Sequence, residues 1–148
     1  MSHNEDLVSC ECVLQLFKTR MASRQAIQRL LKNIQAEITF EMLQVLMCLK
    51  EEQGVSQQRL AECIAKDKAC ITNLIANLEK KGFVRREENQ QDRRNKLVFL
   101  TVEGEEFNER VVPLLRDYYQ TLENRLGKEG LKETLSRLKI LQNAFESY

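Results

Sequence analysis

SQQRLAECIAKDKACITNLIANLEKKGFVRREENQQDRRNKLVFLT, residues 56–101, changes its apolar rhythm once, and that change decides the fold. Up to Gly82 the spacing is helical. Ser56 is placed to cap a short helix with Leu60, Ala61 and Ile64 inward. Asp67 is placed to cap the next, in which Ile71, Leu74, Ile75 and Leu78 recur at i, i+3, i+4 and i+7. Past Gly82, FVRRE and KLVFLT are β-prone segments, and the residues between them, 89–95, are all polar and rich in turn formers. A β-hairpin over 83–101 is expected, with Asp92, Arg93 and Arg94 at its tip.

On either side of this stretch the chain reads as helix. Leu7, Leu14, Phe17, Met21, Ile27, Leu30, Leu31 and Ile34 give one long amphipathic helix over about residues 5–35. Thr39 can cap a second, carrying Met42, Leu43, Leu46, Met47 and Leu49 and ending near Gly54. Thr101 caps another, whose first turns hold Glu103, Glu105 and Glu106, favourable near a helix amino terminus. Val111, Leu114, Leu115, Tyr118, Leu122 and Leu126 continue its apolar side, with a kink expected at Pro113. A break over 127–130 precedes a final helix carrying Leu131, Leu135, Leu138, Leu141 and Phe145. One proline and five glycines in 148 residues leave long helices largely uninterrupted, and the length is that of one domain.

The order helix, short turn, helix, hairpin is that of a winged helix-turn-helix, with the helix-turn-helix at 56–81 and the wing at 83–101. The expected architecture is mainly α: a winged head (37–104) with a two-stranded β wing, and a dimerisation body made from residues 1–36 and 105–148. Such a head puts its second helix into a major groove and its wing on the neighbouring backbone or minor groove. The net charge of +1 makes no bulk argument for a polyanion, but its distribution does. Residues 66–101 carry +4, against −3 for 37–65 and −2 for 102–148. Arginine suits a narrow, strongly negative minor groove, because its charge is permanent and its head is flat. Asp92 can hold Arg94 extended through a local ion pair. A solvated charged loop is the competing reading of the same residues.

Residues 60–104 resemble the core of the MarR-type winged helix regulators. The match rests on "LA" at Leu60 and Ala61, Thr72, "LEKKGFV" from Leu78 to Val84, "DRR" from Asp92 to Arg94, and "LT..G" from Leu100 to Gly104. The resemblance implies a cytoplasmic homodimer on a double-stranded, pseudo-palindromic operator, repressing transcription until a small aromatic or amphipathic molecule, or an oxidant, releases it. On this basis Lys68, Cys70, Thr72, Asn73 and Asn77 are the expected outward face of the recognition helix, where Asn pairs with adenine edges and Thr or Cys meets a thymine methyl. Ser56, Gln57 and Gln58 are expected at phosphate, as are Arg85, Arg86 and Lys96. Arg94, with Arg93 beside it, is the expected groove contact. For an effector, Phe17, Met21, Met42, Met47 and Tyr118 are candidate linings, each equally a core residue.

Five cysteines at irregular spacings do not form a disulfide framework, so reduced thiols are expected. Cys10, Cys12 and Cys70 are the candidate redox residues. Cys10 and Cys12 point about 200° apart on a helix, too far to line one pocket together. Cys70 sits near a helix amino terminus, a setting that favours thiol reaction, and its modification would block the groove contact. With His3 the only imidazole, Cys10, Cys12 and His3 have no spacing of a closed zinc site, and no metal or cofactor is expected. Phosphate-cradling glycines, a nucleophile elbow and a cysteine–histidine arrangement are all missing, which argues against an enzyme. A winged helix that binds protein rather than DNA, or a thiol- or metal-responsive regulator, remain the alternatives. No apolar run reaches the roughly 20 residues of a membrane span.

Overall fold

Three short polar side chains start three of the helices as their positions require. In the computed structural model, which describes residues 7–148, Thr39 accepts a hydrogen bond from the Met42 amide (3.2 Å), Ser56 from Arg59 (3.1 Å) and Asp67 from Cys70 (2.7 Å). Each satisfies a first-turn donor that has no partner within its own helix. The elements are α1 (Val8–Asn33), α2 (Phe40–Glu51), β1 (Val55–Ser56), α3 (Gln57–Ile64), α4 (Lys68–Lys80), β2 (Val84–Asn89), β3 (Asp92–Leu100), α5 (Val102–Leu126) and α6 (Lys128–Glu146). They fall into two compact units, one closing at Glu105 and the other spanning Glu106–Tyr148.

The first unit is built on a continuous apolar core. Ile27 and Leu31 of α1, Leu43, Val45, Leu46 and Leu49 of α2, Leu60 of α3, Ile71, Ile75 and Leu78 of α4, and Val84 and Val98 of the sheet are all buried. These are mostly the positions that helical or alternating spacing assigns inward. The junction between α1 and α2 is also polar. Gln28 donates to the Ile38 carbonyl (3.1 Å) and accepts from the Phe40 amide (2.9 Å), while Arg24 forks onto both carboxylate oxygens of Glu41 (2.6 and 3.1 Å). That fork holds the Glu41 carboxyl below the usual carboxylate range.

The sheet is larger than the hairpin expected from sequence. Its order is β1-β3-β2, antiparallel throughout, with Val55 opposite Val98 and Ser56 opposite Leu97. A two-residue strand gives too short a pattern to read, and its helix-capping serine pointed to the next element instead. Gly54, at φ +70°, makes the turn into it, and α2 ends three residues earlier, at Glu51. Other boundaries shift as well. The long first helix runs 8–33 rather than 5–35, Gly127 alone (φ +82°) separates α5 from α6, and Gly130 is helical. Pro113 lies inside a helix that is continuous from Val102 to Leu126.

In the second unit Phe107, Asn108 and Val111 are buried, but no residue of α6 is. Leu135, Leu138, Ile140 and Phe145 are exposed, as are Leu7, Val8, Leu14, Phe17 and Met21 in and just before α1.

Candidate nucleic-acid interface

The wing is a hairpin with its cations displaced from the turn. Register pairs Glu88 with Lys96 and then Asn89 with Asp92, so one step along β2 corresponds to four along β3. Arg93, Arg94 and Asn95 therefore stand opposite no residue of β2. The turn itself is Gln90 and Gln91, not Asp92–Arg94 as expected. A bulge of this kind re-aims side chains away from the sheet, and here it is braced on both sides. Asn89 Oδ1 accepts from the Gln91 amide (3.0 Å), Asp92 Oδ1 accepts from the Arg94 amide (3.1 Å), and Asp92 Oδ2 accepts from Asn95 Nδ2 (3.1 Å). Asp92 thus fixes the backbone that carries Arg94. It is not the guanidinium partner that its position suggested, since a carboxylate this close in sequence finds the amide two residues on more readily.

The five wing cations divide into two groups. Arg93, Arg94 and Lys96 are exposed and make no ion pair among the described residues. Arg85 and Arg86 are engaged. Arg86 forks onto Glu79 of α4 (3.1 and 3.0 Å), holding that carboxyl below its usual range. Arg85 pairs with Glu87 and lies 4.5 Å over the Phe99 ring. These two clamp the sheet to itself and to α4, and their charge is offset within the protein.

On α4, Lys68, Thr72, Asn73 and Asn77 are exposed and Cys70 is half-buried. Cys70, Asn73 and Asn77 recur at i, i+3 and i+7, one face of the helix. Thr72 Oγ1 donates to the Lys68 carbonyl (2.9 Å), which turns its hydroxyl hydrogen back onto the helix. The start of α3 is mixed. Gln58 is exposed, the Ser56 hydroxyl oxygen accepts the Arg59 amide in its cap, and Gln57 is half-buried with its Nε2 turned inward. The side chain of Glu79, unremarkable in sequence, proves to join the recognition face to the wing; only an oppositely charged residue seven positions away hinted at it.

The remaining candidates are dispersed. Cys10 is half-buried, Cys12 exposed, and His3 lies outside the described residues. Among the described residues no group of histidine, cysteine and carboxylates could hold a metal ion, and no helix is long and apolar enough to cross a membrane. An open cleft of about 480 Å³ is lined by Arg20, Ser23, Phe40, Gln44 and Cys63. Of the five expected effector residues, Met42 is buried in the core, Met47 and Tyr118 are half-buried, and Phe17 and Met21 are exposed.

Comparison with known proteins agrees with this geometry. Residues 38–96 match the model of the MarR family. The HTH-type transcriptional regulator FarR of Neisseria gonorrhoeae is 30% identical over 116 residues, 76% of this chain and 80% of FarR. The crystal structure of transcriptional regulator PA4135 superposes with a TM-score of 0.78 at 26% identity, covering 88% of this chain and 95% of that one. The S. aureus MepR–DNA complex gives the same TM-score at 24% identity over 90% of this chain and 96% of MepR, a likeness of fold. With a braced wing bulge that carries Arg93 and Arg94, a polar outward face on α4 of the same unit, and these matches, this chain belongs to the MarR family of winged helix-turn-helix transcriptional regulators.

Proposed function

We propose that the chain is a cytoplasmic repressor that binds a pseudo-palindromic operator as a homodimer and leaves it when a small aromatic or amphipathic molecule, or an oxidant, acts on it. The observation that carries this reading is the division of the wing cations. Arg93, Arg94 and Lys96 make no ion pair among the described residues while Arg85 and Arg86 are internally paired, so a limited, positioned set of charges is left for a polyanion. In this reading Arg94 enters the minor groove, with Arg93 and Lys96 beside it. Asn73, Asn77, Thr72 and Cys70 face base edges, and Lys68 and Gln58 meet phosphate. Exposed Phe17 and Met21 on α1, at 65% and 62%, and the wholly unburied α6 supply apolar surface for a second copy. The open cleft beside Arg20 and Phe40 suits an aromatic anion, a ring on the phenylalanine and a charge at the guanidinium.

Selection of duplexes from a random pool, followed by a salt titration of the winner, tests the proposal. Binding should weaken with a log–log slope of about −0.9 for each phosphate neutralised. A salt-insensitive association, or none with any duplex, would favour a protein-binding wing instead.

A further inference from the structure

One hydroxyl joins the end of the recognition helix to the start of α5. At its exit α4 closes on itself: the Gly82 amide donates to the Glu79 carbonyl and the Phe83 amide to the Leu78 carbonyl (both 3.0 Å), a turn that Gly82 permits at φ +80°. The carbonyls of the same two exit residues are both taken by Thr101, whose Oγ1 donates to Gly82 (2.5 Å) and whose amide donates to Phe83 (3.0 Å). That hydroxyl oxygen also accepts the Gly104 amide (3.1 Å), which caps α5. With one hydrogen to give, the hydroxyl is committed on both sides. Two further contacts hold the first turn of α5 in the same place. Gly104 lies so near the Phe83 carbonyl oxygen that a β-carbon would overlap it. From the far edge of β3, Gln53 accepts from the Leu100 amide (3.0 Å) and donates to the Glu105 carboxylate (3.5 Å). Since Val55 stands opposite Val98, Gln53 would face Leu100 if β1 ran two residues further; Gly54, at φ +70°, turns the backbone aside and the side chain makes the bond instead.

We infer that Thr101 is a positioning residue for DNA recognition: its hydroxyl fixes the exit of α4 to the first turn of α5, so that the recognition helix keeps one angle to the start of α5, and that angle sets the half-site spacing which a dimer accepts. A helix cap needs only the acceptor half of this arrangement, the lone pair that receives the Gly104 amide. The donor half, aimed at the Gly82 carbonyl, reaches a different helix. It is this second bond that carries direction from α4 into α5, which runs unbroken to Leu126. Three substitutions separate the two halves. Thr101→Ser keeps donor and acceptor, Thr101→Asp keeps a good cap but sets an acceptor against the Gly82 carbonyl, and Thr101→Val keeps the shape and neither bond.

Residual dipolar couplings of the weakly aligned full chain read the angle between the two helices without DNA. In wild type and Thr101→Ser, amides 69–80 of α4 and 103–112 of α5 should fit one alignment tensor at one angle. In Thr101→Asp and Thr101→Val the α5 amides should depart from it in orientation or amplitude. Wild-type couplings in Thr101→Asp would assign the hydroxyl to capping alone and overturn the inference; should Thr101→Val not fold, the serine and aspartate variants decide it. The spacing consequence rests on the operator reading above and is tested on the selected duplex with one base pair added or removed between its half-sites, a rotation of roughly a tenth of a turn. Wild type and Thr101→Ser should lose about tenfold in affinity on the altered duplexes and Thr101→Asp about threefold or less, while binding to a duplex with a single half-site stays the same in all three. Equal losses in the serine and aspartate variants, or a weaker single half-site in the latter, overturn the spacing role. If wild-type protein binds no duplex while Thr101→Asp releases α5 from α4, the operator reading fails and the junction stands.

Discussion

Arg94 and Arg86 lie eight residues apart on one hairpin, yet their partners give them opposite prospects. Arg94 makes no ion pair among the described residues and stands on a bulge held by Asp92, so little is lost in presenting it. Arg94→Ala should cost about 1–3 kcal/mol of operator binding by fluorescence anisotropy. Arg86→Ala should change that affinity little, because Glu79 already claims its guanidinium. Equal losses from the two variants would mean that free charge does not distinguish them. A third residue, Gly104, explains the last letter of the family-like "LT..G" signature. A β-carbon there would overlap the Phe83 carbonyl oxygen, a backbone atom that cannot swing aside. Gly104→Ala should therefore destabilise the fold by about 3 kcal/mol or more, read from the urea midpoint. Such packing needs is invisible in a single sequence, where a helical glycine reads only as a weak helix former.

At the scale of elements, legibility followed pattern length. α2, α3 and α4 were readable because each carries a side-chain cap and an apolar stripe of at least two turns. β1 was not, since two residues hold no period, and the wing bulge was not, since register is decided by backbone partners across the hairpin. Likewise the Arg24–Glu41 clamp joins residues 17 apart on different helices. It has a pH signature. Arg24 lowers the Glu41 carboxyl in the folded state, so its contribution is complete above the ordinary carboxylate range and is lost as pH falls through that range to the depressed value. Arg24→Met should lower stability at pH 7 by at most about 1 kcal/mol, the pair being partly exposed. That deficit should begin to shrink only as pH falls below the ordinary carboxylate range, and vanish once pH is under the depressed Glu41 value, in thermal melts. A deficit that persists in acid would assign it to lost packing of the arginine stem.

For the whole molecule, sequence and structure agree on where apolar surface is spent and where it is left over. The first unit buries a complete core, while Leu14, Phe17 and Met21 on α1 and Leu135, Leu138 and Phe145 on α6 stay exposed. Helical periodicity marked all of these as one-sided faces, but a periodic stripe does not say whether its cover is the same chain or another. If a second copy supplies it, twofold symmetry sets two recognition helices roughly 34–36 Å apart, one turn of duplex. Hydroxyl-radical footprinting of the selected duplex measures that spacing directly. Two equal protected half-sites with centres about 10–10.5 base pairs apart are expected. A single protected site, or uniform cleavage at saturating protein, would contradict the twofold arrangement.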